Sequence, residues 1–353
     1  MMKARRRLSD LAACLRGSPP PDVDWLGIIE DANRCLVTPT LAVRLRPETC
    51  PEDVAAYLRL IFERNAARNT RLQGQLDEVA FCLNAAGIVP TLIKGAAWLR
   101  ASPPERIGER MLTDLDILVP AEDVDPAMQA LVAIGFRTDS EVGEAQHHFK
   151  ADLFRSSDAA MVDLHVRPPG PARLHPPTRL SAHSHAFGDA GMIVNLPDST
   201  SRAFHILVHD LLHDGDFWVG RIDLRHLVDL DTLSLESDFD WDRIEDWMRA
   251  PLDRIALATQ CVALSALLGT RVPESLLTMR RARLQHVRRM LQLDYPYLCP
   301  IFTAATILVH GKRIVYPDPT GASLPKTRQK RPPLRSRISR FRKIWSKIDT
   351  GKV

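Results

Sequence analysis

Apolar positions recur at helical spacing early in this chain. They include Trp25, Ile28, Ile29, Ala32 and Leu36, then Val54, Leu58, Ile61 and Phe62. Pro51-Glu52-Asp53 predicts a helix start, with proline and acids in the first turn. Leu72 to Ala86 continues as an amphipathic helix that Gly87 should close. The pattern then shortens. Ile88 to Ile93 predicts a strand, with Pro90 placing it at an edge or at the strand start. Gly95 to Ala101 opens a helix, Leu112 to Val119 reads as a strand, and Glu122 to Ile134 as a helix closed by Gly135. His147 to Phe154 and Ala160 to Val166 predict an antiparallel pair joined around Ser156-Ser157-Asp158. From residue 200 the helical period returns in Phe204, Leu207, Val208 and Leu211, and later in Ile255 to Leu268.

The expected fold class is therefore α+β, a small mixed β-sheet core flanked by N- and C-terminal helical regions. The expected divisions are a mobile basic leader (1–23), an N-terminal helical region (24–87), the sheet-bearing core (88–198), a C-terminal helical region (199–315), and a Pro-rich linker with a basic amphipathic tail (316–353).

The strand Thr113-Asp114-Leu115-Asp116-Ile117-Leu118-Val119 carries chemistry. Residues at i and i+2 share a face, so Asp114 and Asp116 stand together, opposite Leu115, Ile117 and Val119. Paired like charges call for a cation between them, and hard carboxylate oxygens suit Mg²⁺. Asp163, in Met161-Val162-Asp163-Leu164-His165, can supply a third oxygen from a second strand, which would make a two-metal phosphoryl-transfer site. The bland alternative is a solvated strand exit or a helix cap. Upstream, Thr91-Leu92-Ile93-Lys94-Gly95-Ala96 reads as strand, Gly turn and helix start. Such a turn lets backbone approach a phosphate, with Lys94 adding positive charge.

Composition narrows the class. Hydrophobic content of 45% and charged content of 25% are ordinary for a soluble globular chain. No run approaches eighteen uncharged apolar residues, so no transmembrane segment is expected, and the N-terminus has no apolar core of signal-peptide length. The six cysteines are scattered without a Cys-x-x-Cys pair, which argues against a zinc ribbon or disulfide scaffold and for a reducing, cytoplasmic location. The net charge of +4 divides unevenly: residues 326–353 carry eleven Lys or Arg against Asp349, and the remainder is net acidic. In that tail Ile338, Phe341, Ile344, Trp345 and Ile348 fall at helical spacing among basic residues. This pattern fits contact with an anionic membrane surface, RNA or a partner groove, and equally a solvated disordered tail.

His205, His209 and His213 lie four apart on one predicted helix face, beside Asp210 and Asp214, with His226 and Asp229 downstream. A His-Asp metallohydrolase is one reading; residues packed at the edge of the core are the plainer one. His165 shares the face of Asp163 and is as well read as a structural histidine as a substrate contact. His147-His148 alternates on a strand, so that one of the two can face a cleft. His183-Ser184-His185 is read as part of an exposed Pro-rich loop. Trp241 and Trp247 are read as core.

Several of these segments together resemble a known family. Lys94-Gly95, Arg110, Asp114-Leu115-Asp116-Ile117-Leu118-Val119, Gly135-Phe136 and Val162-Asp163-Leu164-His165 are similar to the uncharacterised nucleotidyltransferases of the DNA polymerase β-like superfamily. So are His209, Leu227-Val228-Asp229-Leu230, Asp240-Trp241, and Leu268-Gly269 ahead of Val272-Pro273. The resemblance spans most of residues 20 to 280. It implies a polymerase β-like core holding two Mg²⁺ ions and a nucleoside triphosphate. Asp114 and Asp116 would hold both metals, and Asp163 would complete the one that activates the attacking oxygen. The chain departs from the superfamily pattern in having Gly95-Ala96 in place of Gly-Gly or Gly-Ser, and in its long segment from Gly95 to Asp114. The loss of a hydroxyl shifts phosphate binding toward Lys94, Arg106 and Arg110, and Arg110 is expected to neutralise developing charge.

The expectation is thus an Mg²⁺-dependent enzyme that moves a nucleoside monophosphate from an NTP to an unknown small-molecule or protein acceptor and releases pyrophosphate. The alternatives are a non-catalytic nucleotide-binding protein of the same fold and, further off, a His-Asp phosphohydrolase.

Overall fold

The structure is a computed structural model, and it describes residues 4–138, 149–189 and 191–311. Seven strands form one mixed sheet: β1 (Thr91–Leu92), β2 (Asp114–Leu118), β3 (Arg137–Thr138), β4 (Phe149–Phe154), β5 (Met161–His165), β6 (Ser184–Asp189) and β7 (Met192–Pro197), in the order β3-β4-β5-β2-β1-β7-β6. β2 runs parallel to β5 and antiparallel to β1; β4 is antiparallel to β5, and β1 is parallel to β7. Helical regions flank this sheet on both sides in sequence, which is the expected α+β polymerase β-like architecture.

Local chemistry explains the central strands. Leu115 and Ile117 in β2, and Val162 and Leu164 in β5, are buried and build the sheet core with Leu92, Val194 and Leu196. β1 is short because Pro90 has no N–H to add to the ladder, although its carbonyl still accepts from Asn195 N at 2.8 Å. The β6–β7 hairpin was not expected: the segment around His183-Ser184-His185 was read as an exposed loop. Its signal is the alternation in β7, where Met192 and Val194 are buried while Ile193 is exposed.

A second core is all-helical, centred on the helix Pro251–Leu268 with Phe204, Leu207, Phe217, Leu227 and Leu230 around it. That helix is long and apolar enough to cross a membrane, but 72% of it is buried against its neighbours, which accounts for the apolarity by core packing. Trp241 and Trp247 pack at the edge of this core. The 34-residue helix Glu52–Ala85 joins the two cores. Its early residues Val54 and Leu58 sit in the helical one; Leu72, Leu76, Val79, Ala80 and Leu83 sit under the sheet.

The expectation of a mobile leader fails. Ala4–Leu15 is a helix that buries Leu8, Leu11, Ala12, Cys14 and Leu15 in the helical core. Its arginines hid an apolar stripe at spacing three and four: Arg7 lies at the rim, where its Nε donates to Asp31 at 2.7 Å. The Pro-rich linker and basic tail from residue 316, and His147-His148, lie outside the described residues.

Candidate active site

The parallel register of β2 and β5 sets Asp116 directly beside Asp163, and Asp114 beside Met161. Asp163 is in turn opposite Asp152 of β4. Side chains in register share a face, so Asp116, Asp163 and Asp152 form a row across three strands. Asp152 was not singled out from sequence, because its place in this row depends on the pairing of β4.

Asp116 is fully buried, and Lys94 and His165 share one of its oxygens. Lys94 Nζ donates to Oδ1 at 2.7 Å and His165 Nε2 donates to the same atom at 2.9 Å. The other oxygen, Oδ2, is buried with no hydrogen-bond partner among the described residues. Burial pushes the Asp116 carboxyl up, but the His165 hydrogen bond and the Lys94 charge outweigh it and hold the group at about 2. Asp163 goes the other way. Its burial, with the charges of Asp116, Asp114 and Asp152 beside it, lifts it well above the usual carboxylate range. The Lys94 ammonium is disfavoured by burial, yet Asp116, Asp114 and Asp163 raise its proton affinity overall. Asp116, Asp163 and His165 each offer a ligand atom, all within 4.8 Å of one another.

The turn that delivers Lys94 is strained. Lys94 has φ +47°, a left-handed conformation costly for a residue with a Cβ, and the Asp116 ion pair holds the side chain in place. Gly95 is needed for space: a Cβ there would meet Leu112 Cδ2 at 2.9 Å and Arg110 Nη1 at 3.1 Å.

A cavity of about 430 Å³ opens in front of these residues. Its sheet-side wall includes Lys94, Gly95, Asp114 and Asp116. The opposite wall comes from two helices. Ser199–Val208 is capped by Asp198, whose side chain accepts from Ser201 N at 2.7 Å, and at spacing three and four it presents Arg202, His205, Ile206 and His209. Leu224–Leu233 is capped by Asp223, which accepts from His226 N at 3.2 Å, and presents Arg225, His226 and Asp229. Arg110 joins the walls: its Nε donates to both Asp229 oxygens, at 3.0 and 2.9 Å, and Nη2 lies 2.9 Å from Oδ2. Burial lowers the His205 imidazole to about 4, with Lys94 and Arg179 adding to the effect. Burial also lowers Arg202, against the opposing charges of Asp229 and Glu236.

Past His209 the helix widens into a π turn, His209–His213, in which Asp214 N donates to His209 O at 2.8 Å. Asp210, buried here, accepts from His226 Nδ1 at 2.8 Å. His209, His213 and Asp214 form a second group with ligand atoms all within 4.8 Å.

Residues 21–263 of this 353-residue chain match the family described as uncharacterised nucleotidyltransferase. The chain belongs to that family. A search of the curated proteins finds no match. Membership supports a nucleotidyltransferase-type activity in general, and the two His/Asp groups are consistent with divalent-metal use.

In this member of the family the residues singled out from sequence fall into two sets. Asp116, Asp163 and His165 come together, with Lys94 on Asp116; Asp114 and Gly95 line the cavity beside them. His165 binds Asp116, so it holds a carboxylate in place, which favours the positioning reading over a direct phosphate contact. Arg110 does line the cavity, but its guanidinium is committed to Asp229 and ties the two walls together. Sequence reasoning missed Arg202. Its signal was a polar stripe, Arg202, His205 and His209, on an otherwise apolar helix.

Proposed function

We propose that this nucleotidyltransferase moves a nucleoside monophosphate from an NTP to an acceptor oxygen, with Asp114, Asp116 and Asp163 holding Mg²⁺. The observation that carries the reading is the in-register pair Asp116–Asp163, fully or partly withdrawn from solvent, with Asp116 Oδ2 buried and unpartnered and Lys94 Nζ on Oδ1. A buried carboxylate oxygen without a donor suits a hard cation, and so does a neighbour whose charge is suppressed for want of one.

The charge of the cavity agrees. The lining carboxylates Asp114, Asp116, Asp229, Glu236 and Asp238 are matched by Lys94, Arg106, Arg110, Arg202 and Arg225. Together the two walls are formally neutral. Two divalent cations, with Asp163 ionised as a ligand, would bring them to about +3, complementary to a triphosphate. When bound, Mg²⁺ would supply charge neutralisation on the phosphates and a lowered pKa for the acceptor oxygen. The protein's own part is positioning: Lys94 reaches the phosphate path from the strained turn, Arg202 faces it from the helical wall, and the Arg110–Asp229 pair fixes the distance between walls. In the transfer, the acceptor oxygen bonds to the α-phosphorus, the bond to the bridging oxygen breaks, and pyrophosphate leaves.

One observation favours a second reading, a nucleotide-binding protein without turnover. Lys94 and His165 already satisfy Asp116 Oδ1, and Ala96 stands where a hydroxyl would touch phosphate. Incubation with the four labelled NTPs, Mg²⁺ and a metabolite pool separates the two. Pyrophosphate release that Asp116→Asn eliminates supports transfer; tight NTP binding with no release from any acceptor supports the second reading.

A further inference from the structure

We propose that His209, His213 and Asp214 form a second cation site, separate from the Asp116–Asp163 site, that takes a borderline divalent ion of the Zn²⁺ class. The helix geometry is built for it. In a regular α-helix a residue five positions on stands about 140° round the axis, so it cannot share a ligand with the first. The π turn removes that obstacle: Asp214 N bonds to His209 O at 2.8 Å, which sets Asp214 over His209 while His213 stays adjacent.

The donor atoms are close to coordination distance. His209 Nδ1 lies 3.7 Å from Asp214 Oδ2, the two imidazole centroids are 5.4 Å apart, and all three ligand atoms fall within 4.8 Å of one another. Ligands of a tetrahedral zinc, at bonds of about 2.0–2.2 Å, stand roughly 3.3–3.6 Å apart, so rotamer adjustment closes the site. The neighbourhood is negative: Asp210 Oδ1 lies 3.4 Å from His209 Nδ1, and its Oδ2 is buried without a partner. Asp210 is itself held by His226, which keeps this carboxylate at the ring.

Two imidazoles and one carboxylate select differently from a row of carboxylates. Nitrogen donors suit zinc-type ions, whereas Mg²⁺ prefers an all-oxygen shell. Three protein ligands also leave a coordination position open. Of the three, His209 also lines the cavity that holds Asp114 and Asp116, so the site borders that cavity through one ligand.

The test needs no substrate. Full-length protein stripped of metal is titrated with Zn²⁺ by calorimetry in a large excess of Mg²⁺. The proposal expects one zinc per chain, with the affinity unchanged by Asp116→Asn and weakened at least about tenfold by His213→Gln and by Asp214→Asn. Zinc should also raise the thermal midpoint of the wild type and of Asp116→Asn, but not of His213→Gln. Should His213→Gln fold poorly, Asp214→Asn reads the same site from a partly exposed position. No zinc uptake under excess Mg²⁺, or equal uptake by wild type and both site variants, would overturn the proposal. So would loss of uptake on Asp116→Asn alone.

Discussion

The two walls of the cavity are made by different means. On the sheet side, residues close in sequence or fixed by strand register do the work: Asp114 and Asp116 are two apart, and Asp163 meets Asp116 through the β2–β5 pairing. On the helical side, the residues acquire their roles only through tertiary contact. Asp229 meets Arg110 from 119 positions away, and His226 meets Asp210 across the gap between two helices. The sheet wall is an arrangement of carboxylates that propensity almost writes out. The helical wall is an arrangement of charges whose partners the fold chooses.

If that contrast is right, the pair joining the walls is where the molecule is most sensitive. Arg110→Ala takes from buried Asp229 its hydrogen-bonded cation and leaves it only the charge of Arg202, and should cost up to about 3–5 kcal/mol of stability in a denaturant titration. The double variant Arg110→Met/Asp229→Leu should recover much of that loss, because no lone charge remains. A small effect of Arg110→Ala alone would mean that the walls are held together by packing and that the pair is incidental.

Next in size is a pH effect confined to the helical wall. Burial lowers His205 to about 4 from 6.5, so the unfolded state takes up a proton that the folded state refuses. The folded pKa lies below the unfolded one. Stability from this group is therefore complete above about pH 6.5 and declines as pH falls toward 4, by on the order of 3 kcal/mol. His205→Gln should make the stability profile shallower between pH 6.5 and 4, with the remaining slope left to His175 and His286, which burial also lowers. An unchanged slope would show that some other group carries it.

The smallest expected effect separates the walls chemically. On the proposed function, Lys94→Ala would remove one charged contact to phosphate but leave Asp116, Asp163 and Asp114, so Mg²⁺-NTP binding should weaken by about 1.5–3 kcal/mol without vanishing. Arg202→Ala tests the opposite wall in the same titration. A larger loss from Arg202 than from Lys94 would reverse the ranking of the two walls in nucleotide binding.

How much of this was legible follows the same division. β2 and β5 could be read because alternation and paired carboxylates are local signals, and their parallel pairing then fixed Asp163 beside Asp116. Asp152 could not be, because an acid at mid-strand has no meaning until its neighbour is known. The helix Ala4–Leu15 was mistaken for a leader because three consecutive arginines masked Leu8, Leu11 and Leu15. Arg110 lines the cavity, but its commitment to Asp229 is a long-range event that sequence does not announce. The π turn at His209 leaves no trace in composition: the spacing of four already sets His213 beside His209, but Asp214 joins them only through the turn.

The central claim is that Asp116 and its neighbours bind metal and triphosphate as one unit. Isothermal titration of ATP and GTP into wild type and Asp116→Asn, with Mg²⁺ and with EDTA, tests it most directly. Binding in wild type should require Mg²⁺ and should be absent from Asp116→Asn under either condition. Equal affinity in the two proteins, or wild-type binding indifferent to EDTA, would contradict it.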